Sequence, residues 1–464
     1  MSATLDLTSH LAHQRWFGGK GRSWNVTEVV TIGDVAPGVR IDAVTVTYDD
    51  GGTETYQLPL STYPEEQEHL SHAYVGEETD PDGVTLKVYD ALHDKDATVH
   101  WFQGIAEDAR GAAGAALSFH RDPSIEQLPP GGPSIVIGAE QSNTSVIFGD
   151  TVIIKVFRKI SPGVNPDIEI HSALAAAGST HIAAPLGWLE GSWTGAGDER
   201  LTASLAMAQM FLKDASDGWE IALTSVRDLY AEADLHADEV GGDFAGEAGR
   251  LGRATAEVHL ALAETLPTAH LEAKELAALA EAMRGRLGRA AAEVDELAPY
   301  TDALAAAFDD LAALGTPVPV QRVHGDFHLG QVMRTLNGWR LLDFEGEPAR
   351  PLAERRALES PIKDVAGMLR SFDYAARHLL ADHPHDPQLD FRANEWAERN
   401  RDAFCAGYAT AGDCDPRDQA VLLRAFETDK AVYEVLYEAR NRPTWLQIPM
   451  AAIRRLAASE SPST

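Results

Sequence analysis

The chain has 464 residues, of which 44% are hydrophobic and 24% are charged, the composition of an ordinary globular protein. It carries 39 Lys and Arg against 71 Asp and Glu, a formal net charge of −32. A surface this acidic repels phosphate backbones and anionic lipids, so we expect neither a nucleic-acid partner nor a membrane partner. The length predicts two to four domains or lobes.

The cysteines and the start of the chain indicate the compartment. The two cysteines, Cys405 and Cys414, form no CxxC pair, and the chain has no His/Cys metal spacing, which is typical of a reducing cytosol and gives no support for a zinc site. Residues 1–11 lack a basic segment followed by an apolar run, and no stretch of about 18 apolar residues follows. We therefore expect a cytoplasmic protein without a signal peptide or a membrane span.

Residues 1–90 predict a small α+β unit. A helix over 5–14 precedes strand-like runs at 26–32, 43–48, 53–58 and 85–89, whereas the acidic segment 64–82 predicts a loop. The segment RWFGGKGR (15–22) has two interpretations. Either its glycine amides and three cations contact an anion or a partner, or it is a tight loop with Trp16 and Phe17 packed beneath it.

Residues 91–212 predict a helix followed by a sheet. The order strand, small polar loop, strand, turn, strand spans 134–157, and the loop consists of Gln141, Ser142, Asn143, Thr144 and Ser145. Such a loop can donate hydrogen bonds to a phosphate chain, and Lys155 in the third strand can reach the same phosphates. Glu169, 14 residues later on a predicted helix, can pair with Lys155. The strand over 201–210 then leads into a connector.

Residues 213–464 predict a mainly helical lobe, because apolar residues recur there at spacings of three and four. We expect helices over 219–229, 244–266, 271–298, 395–412 and 416–441, with His259 packed in the interior.

The stretches 323–332 and 341–345 carry the chemistry. Asp326 and Asp343 lie 17 residues apart, and an Asn337-Gly338 hairpin turn brings the two segments together. One carboxylate can then face a substrate hydroxyl while the other faces a metal ion.

The order of these motifs resembles that of protein kinases. Phosphoryl transfer needs a lysine and a metal on the phosphates and a carboxylate at the attacking hydroxyl. Ile153-Ile154-Lys155 stands in place of A-I-K, Gln331 follows Asp326 at the spacing of the kinase Asn, and Asp343-Phe344-Glu345 replaces D-F-G. The chain has no G-x-G-x-x-G loop and no A-P-E segment, which argues against a protein substrate.

The full set of motifs resembles bacterial maltokinases over nearly the whole chain. It comprises RWFGGKGR (15–22), EQSNTSVIFGD (140–150), HGDFHLGQ (324–331), DFEGEP (343–348), SPIKDVAGMLRSFDYA (360–375) and YEARNRPTWLQIP (437–449). The resemblance implies an α+β, bilobal, protein-kinase-like fold of the aminoglycoside-phosphotransferase type. We expect a cap over 1–90, an intermediate part and a sheet-containing N-lobe over 91–212, and a helical C-lobe over 213–464.

The resemblance also implies an activity. This is phosphorylation of maltose at the anomeric hydroxyl with ATP and Mg²⁺, which supplies maltose 1-phosphate for α-glucan and glycogen synthesis, with trehalose synthase as a partner. Asp326 would be the catalytic base, and Gln331 and Asp343 would hold Mg²⁺. Lys155, Glu169 and the loop 141–145 would face the nucleotide phosphates, and Gln209, Met210 and Phe211 would form the adenine hinge.

The sugar would be bound by charged, amide and aromatic side chains. The expected residues are Glu345, Arg370, Asp373, Tyr437, Arg440, Asn441 and Trp445. For Trp445, packing at a helix end is the alternative, and Arg440 has the alternative of a surface ion pair. Glu345, beside Asp343, has the alternatives of a metal ligand or a structural residue. His324 is expected to support the loop.

Two other functions remain open from the sequence. One is a kinase of amino sugars or aminoglycosides, since an acidic pocket would suit a cationic acceptor. The other is a catalytically silent scaffold that binds trehalose synthase, against which stands the presence of Lys155, Asp326, Gln331 and Asp343 together.

Overall fold

A computed structural model describes residues 5–111, 115–138, 142–195, 197–347, 350–381, 386–412 and 414–458. It divides into two compact units. Unit 1 contains residues 1–176 and 183–213, and unit 2 contains residues 177–182 and 214–464.

The first part of unit 1 is an antiparallel sheet of the order β1-β2-β3-β5-β4. Its elements are α1 (Leu7–His13), β1 (Trp24–Ala36), β2 (Val39–Tyr48), β3 (Thr53–Tyr63), a 3₁₀ helix (Glu68–Ala73), β4 (Tyr74–Thr79) and β5 (Thr85–Asp90). The prediction of a loop over 64–82 was wrong, because β4 is an edge strand that stays partly exposed and so lacks an apolar pattern. Trp16 and Phe17 are buried in the core of this sheet, which confirms the packing interpretation of RWFGGKGR.

A second sheet completes unit 1, in the order β6-β11-β12-β9-β8-β7. Its elements are a 3₁₀ helix (Ala91–His93), α2 (Lys95–Ala106), β6 (Leu117–Arg121), β7 (Ser134–Ile137), β8 (Thr144–Phe148), β9 (Val152–Val156), β10 (Lys159–Ile160), α3 (Pro166–Ala176), β11 (Pro185–Thr194) and β12 (Arg200–Met210). β10 pairs with β3 of the first sheet. In β9, Val152, Ile154 and Val156 are buried, and Lys155 lies on the opposite face.

Unit 2 is mainly helical, as the sequence predicted. Its strands are β13 (Ser216–Asp217), β14 (Ala269–Leu271), β15 (Val318–Val320), β16 (Val332–Thr335) and β17 (Gly338–Leu341). Its α-helices are α4 (Gly218–Ala231), α5 (Ala245–Thr265), α6 (Ala273–Glu293), α7 (Thr301–Ala312), α8 (Leu352–Arg355), α9 (Ile362–His378), α10 (Pro387–Ala411), α11 (Ala420–Asn441) and α12 (Gln447–Ala458). Short 3₁₀ helices span Asp295–Tyr300, Leu329–Gln331, Pro416–Gln419 and Pro443–Trp445.

The core of unit 2 depends on the close approach of α5 and α10. A Cβ added at Gly252 would lie 2.0 Å from the carbonyl oxygen of Phe404, and one at Gly407 would meet the backbone of Gly249. Phe372 and Trp396 are buried in the same core. No helix in the described part of the chain is long and apolar enough to cross a membrane.

Candidate active site

The loop that carries Asp326 is held by a buried carboxylate on α9. Asp364 accepts hydrogen bonds from the backbone amides of His324 (2.7 Å) and Gly325 (2.9 Å). His259, buried as predicted, lies 3.0 Å from the same carboxylate and 2.9 Å from the hydroxyl of Tyr408. Gly325 has φ +86°, a conformation that other residues rarely adopt. Polar contacts with buried residues therefore fix the position of this loop.

Asp326 forms an ion pair with Lys430 of α11. Its Oδ1 lies 3.1 Å from Nζ. Burial of the carboxylate acts to raise its pKa, but the charge and hydrogen bond of Lys430, with a further contribution from His328, outweigh burial and lower the pKa of Asp326 to about 2. Asp326 is thus ionised at neutral pH and able to accept a hydrogen bond from a hydroxyl.

Gln331 and Asp343 come together across the hairpin of β16 and β17. The amide Nε2 of Gln331 lies 3.2 Å from Oδ2 of Asp343, and the backbone amide of Leu342 donates to the carbonyl of Gln331 (2.9 Å). The predicted hairpin is present, but its two loop residues are Leu336 and Asn337, one position earlier than the predicted Asn337-Gly338 turn, because Thr335 pairs with Gly338 at the start of β17. A carboxylate and a carboxamide are oxygen donors of the kind that Mg²⁺ prefers, so this pair fits a magnesium ion.

His324 supports the loop, as expected. Its Nε2 lies 2.8 Å from the carbonyl of Leu342, and its ring packs against Phe327 and Phe344. Glu345 follows in the chain, and its carboxylate lies 3.7 Å from the guanidinium of Arg355.

A cavity of about 550 Å³ opens beside Asp326, and we call it the Tyr437 cavity. α11 supplies one wall through residues at helical spacing, namely Lys430, Tyr433, Glu434, Tyr437 and Glu438. Other lining residues include Trp219, His328, Tyr374, Arg442 and Trp445. A smaller recess of about 120 Å³, the Glu347 recess, shares Asp326, Gly367, Lys430 and Tyr433 with it.

The structure brings only some of the predicted sugar residues to this cavity. Tyr437 and Trp445 line it. Arg440 is exposed and forms an ion pair with Glu293 (2.6 Å), the surface alternative noted for it, and the side-chain amide of Asn441 donates to the carbonyl of Tyr437 (2.8 Å).

Arg370 and Asp373 occupy a different environment from the one expected of sugar ligands. Both are buried, and the guanidinium of Arg370 donates to Asp373 (2.5 Å) and to Glu434 (2.6 and 2.9 Å). Asp373 also accepts from Arg455 (2.9 Å). Arg370 therefore holds Glu434, which lines the cavity. The prediction that Arg370 binds the sugar directly was wrong, and Arg370 is instead a positioning residue.

The predicted phosphate-contacting residues lie together in unit 1. Nζ of Lys155 is 3.2 Å from Asp167 of α3, a carboxylate that the sequence analysis did not single out, while Glu169 lies two residues further along the same helix. Ser145 is paired with Lys155 across β8 and β9. Gln141 lies outside the described residues.

The rest of the polar loop and the predicted hinge are tied to the second sheet. Ser142 and Asn143 lead into β8, and the hydroxyl of Thr144 accepts from the buried guanidinium of Arg158 (2.8 Å). At the end of β12, Gln209 and Met210 pair with Ile153 and Val152, and the amide of Phe211 donates to Thr151 (2.8 Å).

The sequence analysis missed Lys430, Tyr433 and Glu434 as site residues. Their signal was present, because positions 430, 433, 434, 437 and 438 follow the i, i+3, i+4 pattern of one helix face and carry polar or aromatic side chains. Nothing local indicated that this face is directed to Asp326, which lies 104 residues earlier. Asp364 was missed for the same reason.

Comparisons with known proteins identify the family of the chain. The profile of the maltokinase N-terminal cap domain matches residues 10–94, and that of the phosphotransferase enzyme family matches residues 237–346, which include Asp326 and Asp343. A glucosamine kinase of Streptacidiphilus jiangxiensis is 30% identical over 67% of this chain and 70% of its own length. A glucosamine kinase of Mycolicibacterium smegmatis is 31% identical over 69% of this chain and 78% of its own length.

Solved structures give the same fold. A glucosamine kinase in complex with glucosamine, ADP and inorganic phosphate superposes with a TM-score of 0.68 at 24% identity, over 98% of this chain and all of the other. A second crystal form of a glucosamine kinase has a TM-score of 0.68 at 25% identity over 94% of both chains. The chain therefore belongs to the aminoglycoside-phosphotransferase-like superfamily of kinases; it carries the maltokinase N-terminal cap domain, and two glucosamine kinases are among its relatives.

Proposed function

We propose that this protein transfers the γ-phosphoryl group of ATP to the anomeric hydroxyl of maltose and releases maltose 1-phosphate. The observation that carries the choice of a neutral sugar is the pairing of charges around Asp326. Each carboxylate that lines the Tyr437 cavity among the described residues has a cationic partner. Asp326 pairs with Lys430 (3.1 Å), Glu434 with Arg370 (2.6 Å) and Glu438 with Arg442 (2.8 Å).

The Glu347 recess repeats this pattern. Glu347 lies 2.9 Å from Arg350, Asp429 lies 2.7 Å from Arg286, and Glu359 pairs with Lys363. A cationic amino sugar is recognised by a carboxylate whose charge is not already neutralised, and desolvating its ammonium group without one is costly. Charge-matched walls instead present polar groups of both signs, which suits the many hydroxyls of an uncharged sugar.

Aromatic side chains supply the apolar part of such a site. The rings of Tyr433 and Tyr437 stack with centroids 6.2 Å apart, and Arg442 lies over Trp445 at 4.2 Å. The apolar face of a pyranose ring packs well on a flat aromatic surface, and a cavity of about 550 Å³ is of the size that small-molecule ligands occupy.

The catalytic assignments rest on the kinase-like motifs, and the contacts within each unit support them. Asp326 would orient the attacking hydroxyl and accept its proton, which its ionised state permits. Lys430 would keep that carboxylate ionised and in place. Gln331 and Asp343 would hold Mg²⁺, which when bound neutralises charge on the phosphates, and Lys155 would contact the same phosphates of ATP.

Two finer statements rest on the resemblance to maltokinases alone. They are supply of the product to α-glucan and glycogen synthesis and association with trehalose synthase. A cytoplasmic location rests instead on the cysteine usage and on the apolar pattern of the sequence. Phosphorylation of glucosamine is the second candidate function, and it is favoured by the names of the relatives that are 30% and 31% identical.

A substrate panel tests the proposal. The purified chain is incubated with Mg²⁺ and ATP and with maltose, glucose, glucosamine or kanamycin, and ADP release is measured, with Asp326→Asn as the matched inactive control. We expect maltose to give the highest kcat/KM. Higher values with glucosamine or kanamycin would refute the neutral-sugar assignment, and no turnover with any acceptor despite ATP binding would favour the silent scaffold.

A further inference from the structure

A second cluster of ionisable side chains lies in unit 1, and it shares no residue with the site described above. A cavity of about 380 Å³, here the histidine cavity, is lined by four histidines and two aspartates, namely His10, His13, His72, His93, Asp6 and Asp90. Four imidazoles around one cavity are notable in a chain that has only 17 histidines among 464 residues.

The geometry of two of these rings suits a shared metal ion. The ring centroids of His72 and His93 are 5.1 Å apart, with the planes at 84°. Two imidazoles that bind one tetrahedral ion through N–metal bonds of about 2.0–2.1 Å have centroids roughly 5 Å apart. The observed spacing is therefore that of a pair of ligands, although it also suits an edge-to-face ring contact.

His10 supplies an independent observation. Its Nε2 is buried and has no hydrogen-bond partner among the described residues, while its Nδ1 is 3.4 Å from the amide of Gln14. Burial lowers the pKa of His10 and of His93, although Asp90 opposes the shift in both. Burial thus favours the uncharged imidazole in both rings, which is the form that binds a metal.

We propose that the histidine cavity binds a divalent transition-metal ion of the zinc type through His10, His72 and His93. Imidazole nitrogen is a preferred ligand of zinc, copper, nickel and cobalt, whereas Mg²⁺ and Ca²⁺ prefer oxygen. Among the described residues these nitrogens do not yet form a group within 4.8 Å of one another. His72 is exposed, so its ring can rotate at little cost to packing, and metal binding requires a rearrangement that brings the three nitrogens together.

Asp90 lies beside two of these ligands but already has a cationic partner. Its Oδ2 pairs with Arg158 (2.5 Å), and its Oδ1 accepts from the amide of Leu92 (3.1 Å). Because Arg158 neutralises this carboxylate, Asp90 adds no attraction for a cation, and the imidazole nitrogens would hold the ion by themselves.

Cobalt and zinc titrations of the full chain test this proposal. The tag-free protein is stripped of metal with a chelator and measured with Mg²⁺ in excess, so that the carboxylate site near Asp343 does not contribute. We expect one Zn²⁺ per chain by calorimetry, and a visible Co²⁺ spectrum of nitrogen-ligated tetrahedral type. Affinity should fall at least about tenfold in His10→Gln, His72→Gln and His93→Gln.

His69→Gln is the matched control, because His69 is an exposed histidine of the same 3₁₀ helix as His72. The Zn²⁺ affinity of this variant should equal that of the parent protein. Because His72 is exposed, His72→Gln should fold normally, so a lower Zn²⁺ affinity of this variant cannot be attributed to unfolding. Absence of saturable Zn²⁺ binding in the parent protein, or equal binding in the parent and in His72→Gln, would overturn the proposal.

Discussion

The ion pair of Asp326 and Lys430 gives the most quantitative prediction. Lys430→Met keeps most of the side-chain length but removes the charge 3.1 Å from the carboxylate. The pKa of Asp326 is lowered from 3.8 to about 2, and this net result of burial, Lys430 and the neighbouring histidines corresponds to about 2 kcal/mol. Because the side chain of Lys430 is 33% exposed, solvent screening reduces this to about 1–2 kcal/mol for the pair.

The direction of the pH dependence follows from the linkage between proton binding and folding. A carboxyl group whose pKa is lower in the folded state stabilises the fold at pH values above its unfolded pKa of 3.8, and loses that contribution as the pH falls through about 2. At pH 7 the whole contribution is present. In Lys430→Met, burial of Asp326 is no longer opposed by that charge, so its pKa rises and the variant is less stable at pH 7.

A double-mutant cycle measures this coupling. Lys430→Met, Asp326→Asn and the double variant are unfolded in urea at pH 7, and we expect a coupling energy of about 1–2 kcal/mol. The acid limb of the kcat/KM profile of Lys430→Met should move to higher pH than that of the parent enzyme. Lys363→Met is the matched control, because Lys363 also lines the Glu347 recess but pairs with Glu359. A coupling energy below about 0.5 kcal/mol together with an unmoved acid limb would refute this role of Lys430.

Three further predictions concern the same unit. Asp326→Asn should lower kcat by about 10²–10⁴-fold while a nucleotide titration shows unchanged ATP affinity, and near-normal kcat would exclude Asp326 as the base. Arg370→Met leaves Glu434 and Asp373 buried without this partner, so urea unfolding should show a loss of about 3–5 kcal/mol. The exposed control Arg440→Met should lose under about 1 kcal/mol, and equal losses would contradict the burial argument. Asp364→Asn weakens the hold on the Asp326 loop and should lower stability by about 1–3 kcal/mol together with kcat, whereas an unchanged kcat would show that the loop does not depend on this anchor.

Local pattern was sufficient for much of the fold. The helical periodicity of unit 2, the strands of the first sheet and the hairpin of β16 and β17 were all predicted, because each depends on the spacing of apolar residues or on turn residues within a short window. The edge strand β4 was missed because a strand that buries neither face lacks that spacing. The motifs around Asp326 and Asp343 were likewise recognisable in the sequence, because each depends on the spacing of a few residues within a short segment of the chain.

What the sequence alone determined is the kind of reaction, through Lys155, Asp326, Gln331 and Asp343 in a fixed order. What only the tertiary structure decided is the electrostatic character of the Tyr437 cavity. The excess of acidic residues suggested a pocket for a cation, yet Glu434 and Asp326 are neutralised by Arg370 and Lys430, which lie 64 and 104 residues away in the chain. Burial makes such pairs obligatory, because an isolated charge is too costly to desolvate, but the choice of partner is made by helix packing and leaves no trace in the local sequence.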